Sequence, residues 1–496
     1  MNDLKILQEP KLQFRYGQMV EDPHDGLTLF GPYDSDMSSH PKVISYGVVG
    51  TRLGIDALQK WVTQISGPIS PELDQNTRIW PPFPGYSAAF LCEMKEPVCA
   101  FEVDSKELAT ATHLNDPNKR VFEVVNLYLK GFEAIQKKDE SFACMICVVP
   151  DMVFHTCRTQ SHIKDGIGHK ISKKEKVLRA AGNLDFFELY EPEQYLLSID
   201  FRRQLKARAM QYGIPLQIIQ ESTLRGGAVA EIEERNLTYL TDRAWNLGTT
   251  LYYKAGGKPW RLPSAREGVC YIGIAFRRTT DGPRTACCAA QMFLDSGDGI
   301  VFLGEYGPWY SPEKHQFHLK KDSAKKLLEG VLNTYKDLEG KELKEIFLHS
   351  RSTIDSEEYS GYLEACPKGI KLAGVRVRQE RFGVRLYREG EWPVIRGSFL
   401  KINEKTCYLW ASGFKQRLAT YDGWDVPVPL RIDIEHGERD IEKVAKDILS
   451  LTKLNYNACK LGDSEPVTVA FSDAVGEILV SNPTVKERRP NFKFYI

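Results

Sequence analysis

Arg202 and Lys206 stand four residues apart in Phe201-Arg-Arg-Gln-Leu-Lys206, a spacing that in a helix sets both cationic ends on one face. Farther on, Gln217 falls in an apolar run, and Lys254 precedes Ala255-Gly-Gly257. Two cations one turn apart, an amide that donates and accepts, and a further lysine from another element suit a terminal phosphate monoester. That group carries more than one negative charge and several acceptor oxygens, so convergent donors must replace its water. A solvated amphipathic helix is the competing reading, because Arg-Arg-Gln-Leu-Lys-Ala-Arg is also ordinary surface composition.

Other chemistry-bearing residues point to less. Cys144 and Cys147 form a CxxC inside the apolar stretch 142–149, with no second pair to complete a zinc site. With Cys270, Cys287 and Cys288 they read as reduced core residues. His162 and His169 flank a Lys/Gly loop without carboxylate or thiolate company. Gly47, Gly50 and Gly54 loosely suggest a dinucleotide loop, but the spacing is not GxGxxG, and close packing of strand on helix is preferred. Arg376, Arg378, Arg381, Arg385 and Arg388, interleaved with Phe382 and Tyr387, form the densest basic stretch, and alternation on a strand would line a channel that tracks phosphates. Lys170, Lys173, Lys174, Lys176 and Arg179 form a second, less favoured one.

The elements that must position these residues follow from periodicity. Val43 to Gly50 reads as a strand, followed by Ile55, Leu58, Val62 and Ile65 at helical spacing. Strands at 142–150 and 215–219, the latter after a helix from Phe201 to about Gln211 capped by Asp200, complete an α/β domain with a largely parallel sheet. A helix from about Leu237 to Tyr253 leads into Lys254–Trp260, where two glycines and a proline stop it. The order then changes: three strands in a meander, at 269–276, 286–294 and 300–304, precede alternating helices and strands, the order of an RNase H-like layer. A last long helix, 440–454, carries Ile441, Val444, Ile448, Leu451 and Leu454 on one stripe.

Composition sets the frame. The 496 residues are 42% hydrophobic and 27% charged, which suits two or three globular domains. Lys plus Arg and Asp plus Glu balance at 66 each, so any basic site must be local. Met1 to Gln13 lacks the character of a signal peptide and no window approaches the roughly 18 apolar residues of a membrane span, so a soluble, cytoplasmic protein is expected.

The arrangement of Arg202, Lys206, Gln217 and Lys254-x-Gly-Gly resembles the guide 5′-phosphate pocket in the MID domain of Argonaute proteins, where a Tyr, His or Arg stands four before a Lys, followed by Gln and Lys. The rest of the chain is similar to one branch, the short prokaryotic Argonautes. The similarity lies in Glu9-Pro, Gly17-Gln18, Asp22-Pro-His-Asp-Gly26, Leu29-Phe-Gly-Pro32, Lys254 to Trp260, Ala286 to Leu294, Leu451 to Asn457 and Glu465-Pro-Val-Thr468. The resemblance implies an N-terminal wrapping segment (1–41), a Rossmann-like MID domain (42–236) and an RNase H-like PIWI domain (237–496).

It also implies roles. Arg202, Lys206, Gln217 and Lys254 would hold the 5′-phosphate, and the terminal carboxylate of Ile496 would help bind a Mg²⁺ ion beside it. Where cleaving relatives carry Gly-Ile-Asp this chain has Gly273-Ile274-Ala275, and Ser350 takes a second Asp position, with Asp473 a possible remnant of the metal-binding set. A methyl group cannot ligate Mg²⁺, so the PIWI domain is expected to bind without cutting. Glu305, Asp295 and Asp298 are read as surface and turn residues. The implied function is binding of a short 5′-phosphorylated guide RNA, recognition of complementary single-stranded target DNA, and activation of an APAZ protein fused to a TIR or sirtuin-like, NAD-degrading effector. That heterodimer, able to oligomerise on target binding, would act in defence against plasmids and phage. A guide-dependent PIWI endonuclease is the enzyme alternative, and a nucleotide-binding metabolic enzyme a third reading.

Overall fold

The computed structural model describes residues 3–138, 140–161, 163, 166–182, 190–225, 238–263, 268–277, 287–293, 299–307, 309–311, 316–338, 342–482 and 489–496. The chain opens with β1 (Asp3–Ile6), which joins a sheet otherwise built from the second half of the molecule. The segment that follows is tied down by charge. Glu9 accepts from Arg396 Nε at 2.8 Å and from Lys453 Nζ at 2.9 Å, all three largely buried, and the two cations overcome the cost of burial to hold the carboxyl below its usual range.

The first sheet is parallel, in the order β3-β2-β4-β5. It is formed by β2 (Tyr46–Gly50), α1 (Arg52–Ser66), β3 (Cys99–Glu102), α2 (Pro117–Gln136), β4 (Cys144–Val149), α3 (Phe201–Ala209) and β5 (Leu216–Gln220). Expectation and structure differ at the start: Val43–Ile44 pairs with Glu93–Met94 in a separate two-stranded sheet. β2 and β4 are buried on both faces, as unbroken apolar runs require when helices cover a parallel sheet. α1 turns Ile55, Leu58, Trp61, Val62 and Ile65 inward, and Thr51 caps it by accepting from Gly54 N at 3.1 Å. The glycines of this turn serve packing, since a Cβ on Gly50 would lie 2.9 Å from the carbonyl oxygen of Val148 and one on Gly54 2.9 Å from its side chain. Cys144, Cys147 and Cys270 are buried free thiols, and the Cys287 and Cys288 side chains lie outside the description.

The second sheet has nine described strands. α4 (Leu240–Lys254) leads into β6 (Val269–Arg277), β7 (Cys287–Phe293) and β8 (Gly299–Tyr306), which form the antiparallel meander. α5 (Lys321–Leu338), β9 (Glu345–Ser350), α6 (Ser356–Ala365) and β10 (Lys371–Gln379) then add two strands parallel to β6. These five run in the order β8-β7-β6-β9-β10, the RNase H-like arrangement. Three antiparallel strands, β11 (Ser398–Lys401), β12 (Thr406–Leu409) and β13 (Leu430–His436), extend the sheet beyond β10, and β1 closes that edge. α7 (Ile441–Leu451), capped by Asp440, buries Ile441, Val444, Ile448 and Leu451 of the anticipated stripe and stops short of Leu454, and α8 (Val467–Leu479) packs across β6. No helix among the described residues is long and apolar enough to cross a membrane.

Candidate nucleic-acid interface

Local chemistry sets up the first site. Asp200 caps α3 by accepting from Arg203 N at 3.0 Å. The helix tightens into the turn Met210–Tyr212 and ends at Gly213, whose φ of 68° is the left-handed conformation that favours glycine. The chain then enters β5 beside α3. Lys254 is the last residue of α4, and its Nζ donates to the Leu216 carbonyl at 2.6 Å and to the main-chain oxygen of Ile496. Lys206 Nζ reaches the same Ile496 oxygen at 2.5 Å and the Tyr495 carbonyl at 3.1 Å. Two lysines from separate helices thus meet on one oxygen.

Both are fully buried, at 3% and 0% exposure, and their acceptors are main-chain oxygens, the shared one belonging to Ile496. Burial pushes Lys206 well below the usual lysine range, and the charges of Lys254 and Arg202 push it further. Burial likewise brings Lys254 down to about 7, against a weaker opposing influence from Cys144 and with Arg202 adding to the depression. An under-neutralised pair of buried cations is a strong anion site, because an arriving anion removes mutual repulsion and restores the charged forms.

The other expected members take different positions. Arg202 is exposed on α3, one turn before the buried Lys206, and acts on both lysines through its charge. Gln217 is half-buried in β5, and its Nε2 donates to the Ile218 carbonyl at 3.1 Å. Sequence reasoning missed Arg158, whose guanidinium lies over the Phe154 ring and feels the charge of Arg202. Ile496 is buried, as expected from its apolar neighbours. Its oxygen fits a divalent cation poorly as arranged, since two ammonium groups already converge on it, so no step is assigned to such an ion.

The second place is inside the larger sheet, where the ends of the neighbouring strands β6 and β9 lie side by side. β6 and β9 are parallel with Ile274 opposite Ser350, so Ala275 and Ser350 are near neighbours at the strand ends, and both are buried. α8 lies so close that a Cβ on Gly273 would fall 1.9 Å from the Thr468 carbonyl oxygen. His349 pairs through Nδ1 with Thr468 Oγ1 at 2.9 Å, and burial lowers its pKa to about 3, which leaves the ring neutral. Ser350 Oγ accepts from Ser352 N at 3.1 Å. Asp473 lies in α8, but its side chain, that of Glu305, and the whole of Asp295 and Asp298 fall outside the described residues, as does His162. Among the described residues no group of three or more His, Cys, Asp or Glu could hold a metal ion.

The basic stretches are corrected in part. Arg376 and Arg378 lie on β10, where Arg376 Nε donates to the Arg351 carbonyl at 3.2 Å. Arg381 and Arg385 do not continue the strand's alternation: β10 ends at Gln379, and both sit exposed in a loop. Arg385 folds that loop by donating to the carbonyls of Arg381, Val384 and Glu380, at 2.6, 3.1 and 3.3 Å. In the other stretch Arg179 is buried against Glu175 (2.9 Å) and the Tyr195 hydroxyl (3.0 Å), a structural contact that removes it from any surface channel.

No family model matches the chain. In sequence it is 24% identical over 332 residues to protein argonaute of Aquifex aeolicus (strain VF5), a match that covers 65% of this chain and 42% of that protein. In structure it is similar to Clostridium butyricum Argonaute bound to a guide DNA and a 19-mer target DNA, with a TM-score of 0.61 and 15% identity over 97% of this chain and 53% of the other. Aquifex aeolicus Argonaute with externally bound siRNA gives a TM-score of 0.57 and 14% identity over 99% and 56%. The chain spans about half the length of the Argonautes it matches. Across nearly its whole length, therefore, this chain has the fold of the Argonautes, and it is similar in sequence to one of them.

Proposed function

We propose that this chain is a guide-binding protein of the Argonaute family, of the short prokaryotic kind, with a MID domain over about 42–236 and a PIWI domain over 237–496. The observation that carries the reading is the convergence of Lys206 and Lys254, buried and with no Asp or Glu paired to either among the described residues, where α3, β5 and α4 meet. A 5′-phosphate supplies the charge these lysines lack, with Arg202 adding a cation from the exposed side and Gln217 an amide once it turns from Ile218. The guide is a short RNA and its target complementary single-stranded DNA, base pairing providing specificity while cationic side chains track the backbone.

The chain binds without cutting. Two-metal cleavage needs clustered carboxylates, and Ala275 and Ser350 supply none. The chain's partner carries an APAZ region fused to a TIR or sirtuin-like, NAD-degrading effector, acting in cytoplasmic defence against plasmids and phage. Nucleic acid co-purified with the chain tests the core of the reading. Its 5′ ends should resist kinase labelling until treated with phosphatase, and its sugar should be ribose. Absence of co-purifying oligonucleotide, or ends that are uniformly hydroxyl, would overturn it.

A further inference from the structure

Where the N-terminal segment meets α4, three buried side chains form a relay of hydrogen bonds that the lysine site does not use. Tyr252 of α4 donates its hydroxyl proton to Asp34 Oδ1 at 2.5 Å, and His40 Nδ1 lies 2.8 Å from the same hydroxyl oxygen. His40 Nε2 lies 2.8 Å from the Leu91 carbonyl oxygen. Asp34 and Tyr252 have no exposure and His40 has 5%, so water does not substitute for these bonds. The relay ends on a strained residue, since Leu91 has a φ of 51°, a left-handed conformation that leucine rarely adopts. Asp34 Oδ2 also accepts from Lys258 N at 2.9 Å, and Tyr33 N donates to the Pro259 carbonyl at 3.0 Å, so the same segment fastens the turn that follows Lys254.

Counting protons decides the state of the relay. Its three bonds need three protons, because a carboxylate and a carbonyl only accept and a phenol has one proton to give. With Asp34 ionised, Tyr252 spends its proton there, so His40 must donate from Nδ1 to Tyr252 and from Nε2 to Leu91. A neutral imidazole has only one N–H. The third proton could sit on Asp34 with two bonds reversed, but the Lys258 amide favours a carboxylate, and a carboxylic acid ordinarily gives up its proton well before an imidazolium does. The neighbouring titratable groups do not alter this. Burial pushes the Cys92 thiol up to about 12 and the Tyr86 hydroxyl well above its ordinary value, so both are neutral, while Glu93 and Lys42 act on Cys92 with opposite signs. We infer that His40 is held as an imidazolium, paired through Tyr252 with the Asp34 carboxylate, and that the three are positioning residues for Lys254 in binding the 5′-phosphate. Tyr252 stands two residues before Lys254 in the last turn of α4, and its carbonyl accepts from Gly257 N at 3.0 Å. Without the third proton one bond is unmade and a buried carboxylate is left uncompensated, which loosens the turn that holds Lys254. The role in phosphate binding rests on the guide-binding reading above, and the protonation of His40 does not.

The test uses the full chain with its histidines isotopically labelled for nitrogen NMR. At about pH 8, where an ordinary histidine is neutral, the His40 ring, identified by its loss in His40→Gln, should carry protons on both nitrogens. In Asp34→Asn the amide donates to the Tyr252 oxygen and so brings the third proton covalently, and the same ring should carry one proton, on Nε2. A single ring proton in the unmodified protein overturns the inference. For positioning, Tyr252→Phe and Asp34→Ala should each weaken binding of 5′-phosphorylated strands about threefold to tenfold, as expected for one lost hydrogen bond, with 5′-hydroxyl strands nearly unchanged. Asp34→Asn should recover most of that loss. Equal loss for both kinds of strand, or no recovery in Asp34→Asn, makes the relay merely structural and overturns the positioning role. If the unmodified protein shows no preference for a 5′-phosphate, the reading of the lysine site fails, while the proton count at His40 stands or falls by itself.

Discussion

The lysine site and the β6–β9 strand ends are both places where the fold gathers distant residues, and they differ in what is gathered. At the first, α3 and α4 deliver two buried lysine amines to one main-chain oxygen of Ile496, with no Asp or Glu paired to either among the described residues. At the second, backbone placement is just as tight, to the point that Gly273 has no room for a Cβ, yet the side chains offered are Ala275, Ser350 and a neutral His349. A fold can hold its geometry while its chemistry is exchanged, because strand register and helix packing depend on backbone and apolar contacts that such substitutions leave alone.

The comparison can be broken most directly at the lysines. Lys206→Ala or Lys254→Ala should weaken binding of 5′-phosphorylated strands by about 10-fold to 100-fold, as expected for loss of charged hydrogen bonds, and 5′-hydroxyl strands far less. The free protein should meanwhile melt no lower, since each substitution also removes a buried, repelled cation. A fall in melting temperature with equal loss for both strands would make these lysines structural.

Gly273→Ala probes the other place, and should destabilise the protein by about 3 kcal/mol because Thr468 backbone must move, measured by denaturant unfolding. A neutral effect would mean α8 is loosely placed against β6. The pH dependence is next in size. Lys254 has a folded pKa of about 7 against an ordinary 10.5, so the unfolded chain binds more protons between those values, and stability of the free protein should rise as pH climbs through that window. Below about 7 this contribution is flat. Bound phosphate should raise the lysine's pKa, so loading near neutral pH should take up protons, seen by calorimetry in buffers of different ionisation enthalpy; proton release would contradict the electrostatic account.

Arg202→Ala, on an exposed residue, should lower affinity only about threefold to fivefold. A loss as large as that from Lys206→Ala would place Arg202 on the phosphate itself. The smallest expected effect is none at all: Ala275→Asp alone should yield no cleavage of labelled target with Mg²⁺ or Mn²⁺, because Ser350 still supplies no carboxylate. Cleavage by that single variant would show that acids outside the described residues complete a metal site.

Much of the architecture was legible in the sequence because burial imposes period. The α1 stripe, the apolar β4, the meander and the α7 stripe matched to within a few residues. The short β3 and the long α2 went unread: β3 has four residues at a sheet edge, and α2 buries residues around much of its circumference, which blurs a single stripe. The basic stretch 376–388 misled because alternation of residue types continues past the point where β10 stops hydrogen bonding.

What the sequence settled by itself was residue type and local order: two cations one turn apart, a lysine before two glycines, alanine and serine at two strand ends. The tertiary structure alone decided that Lys206 is buried while Arg202 is exposed, that Lys254 and Ile496 meet it, and that Tyr252 joins Asp34 to His40. The reason is physical. Helical spacing specifies which face a side chain takes, but what stands opposite that face, and whether water reaches it, depends on contacts between residues hundreds of positions apart.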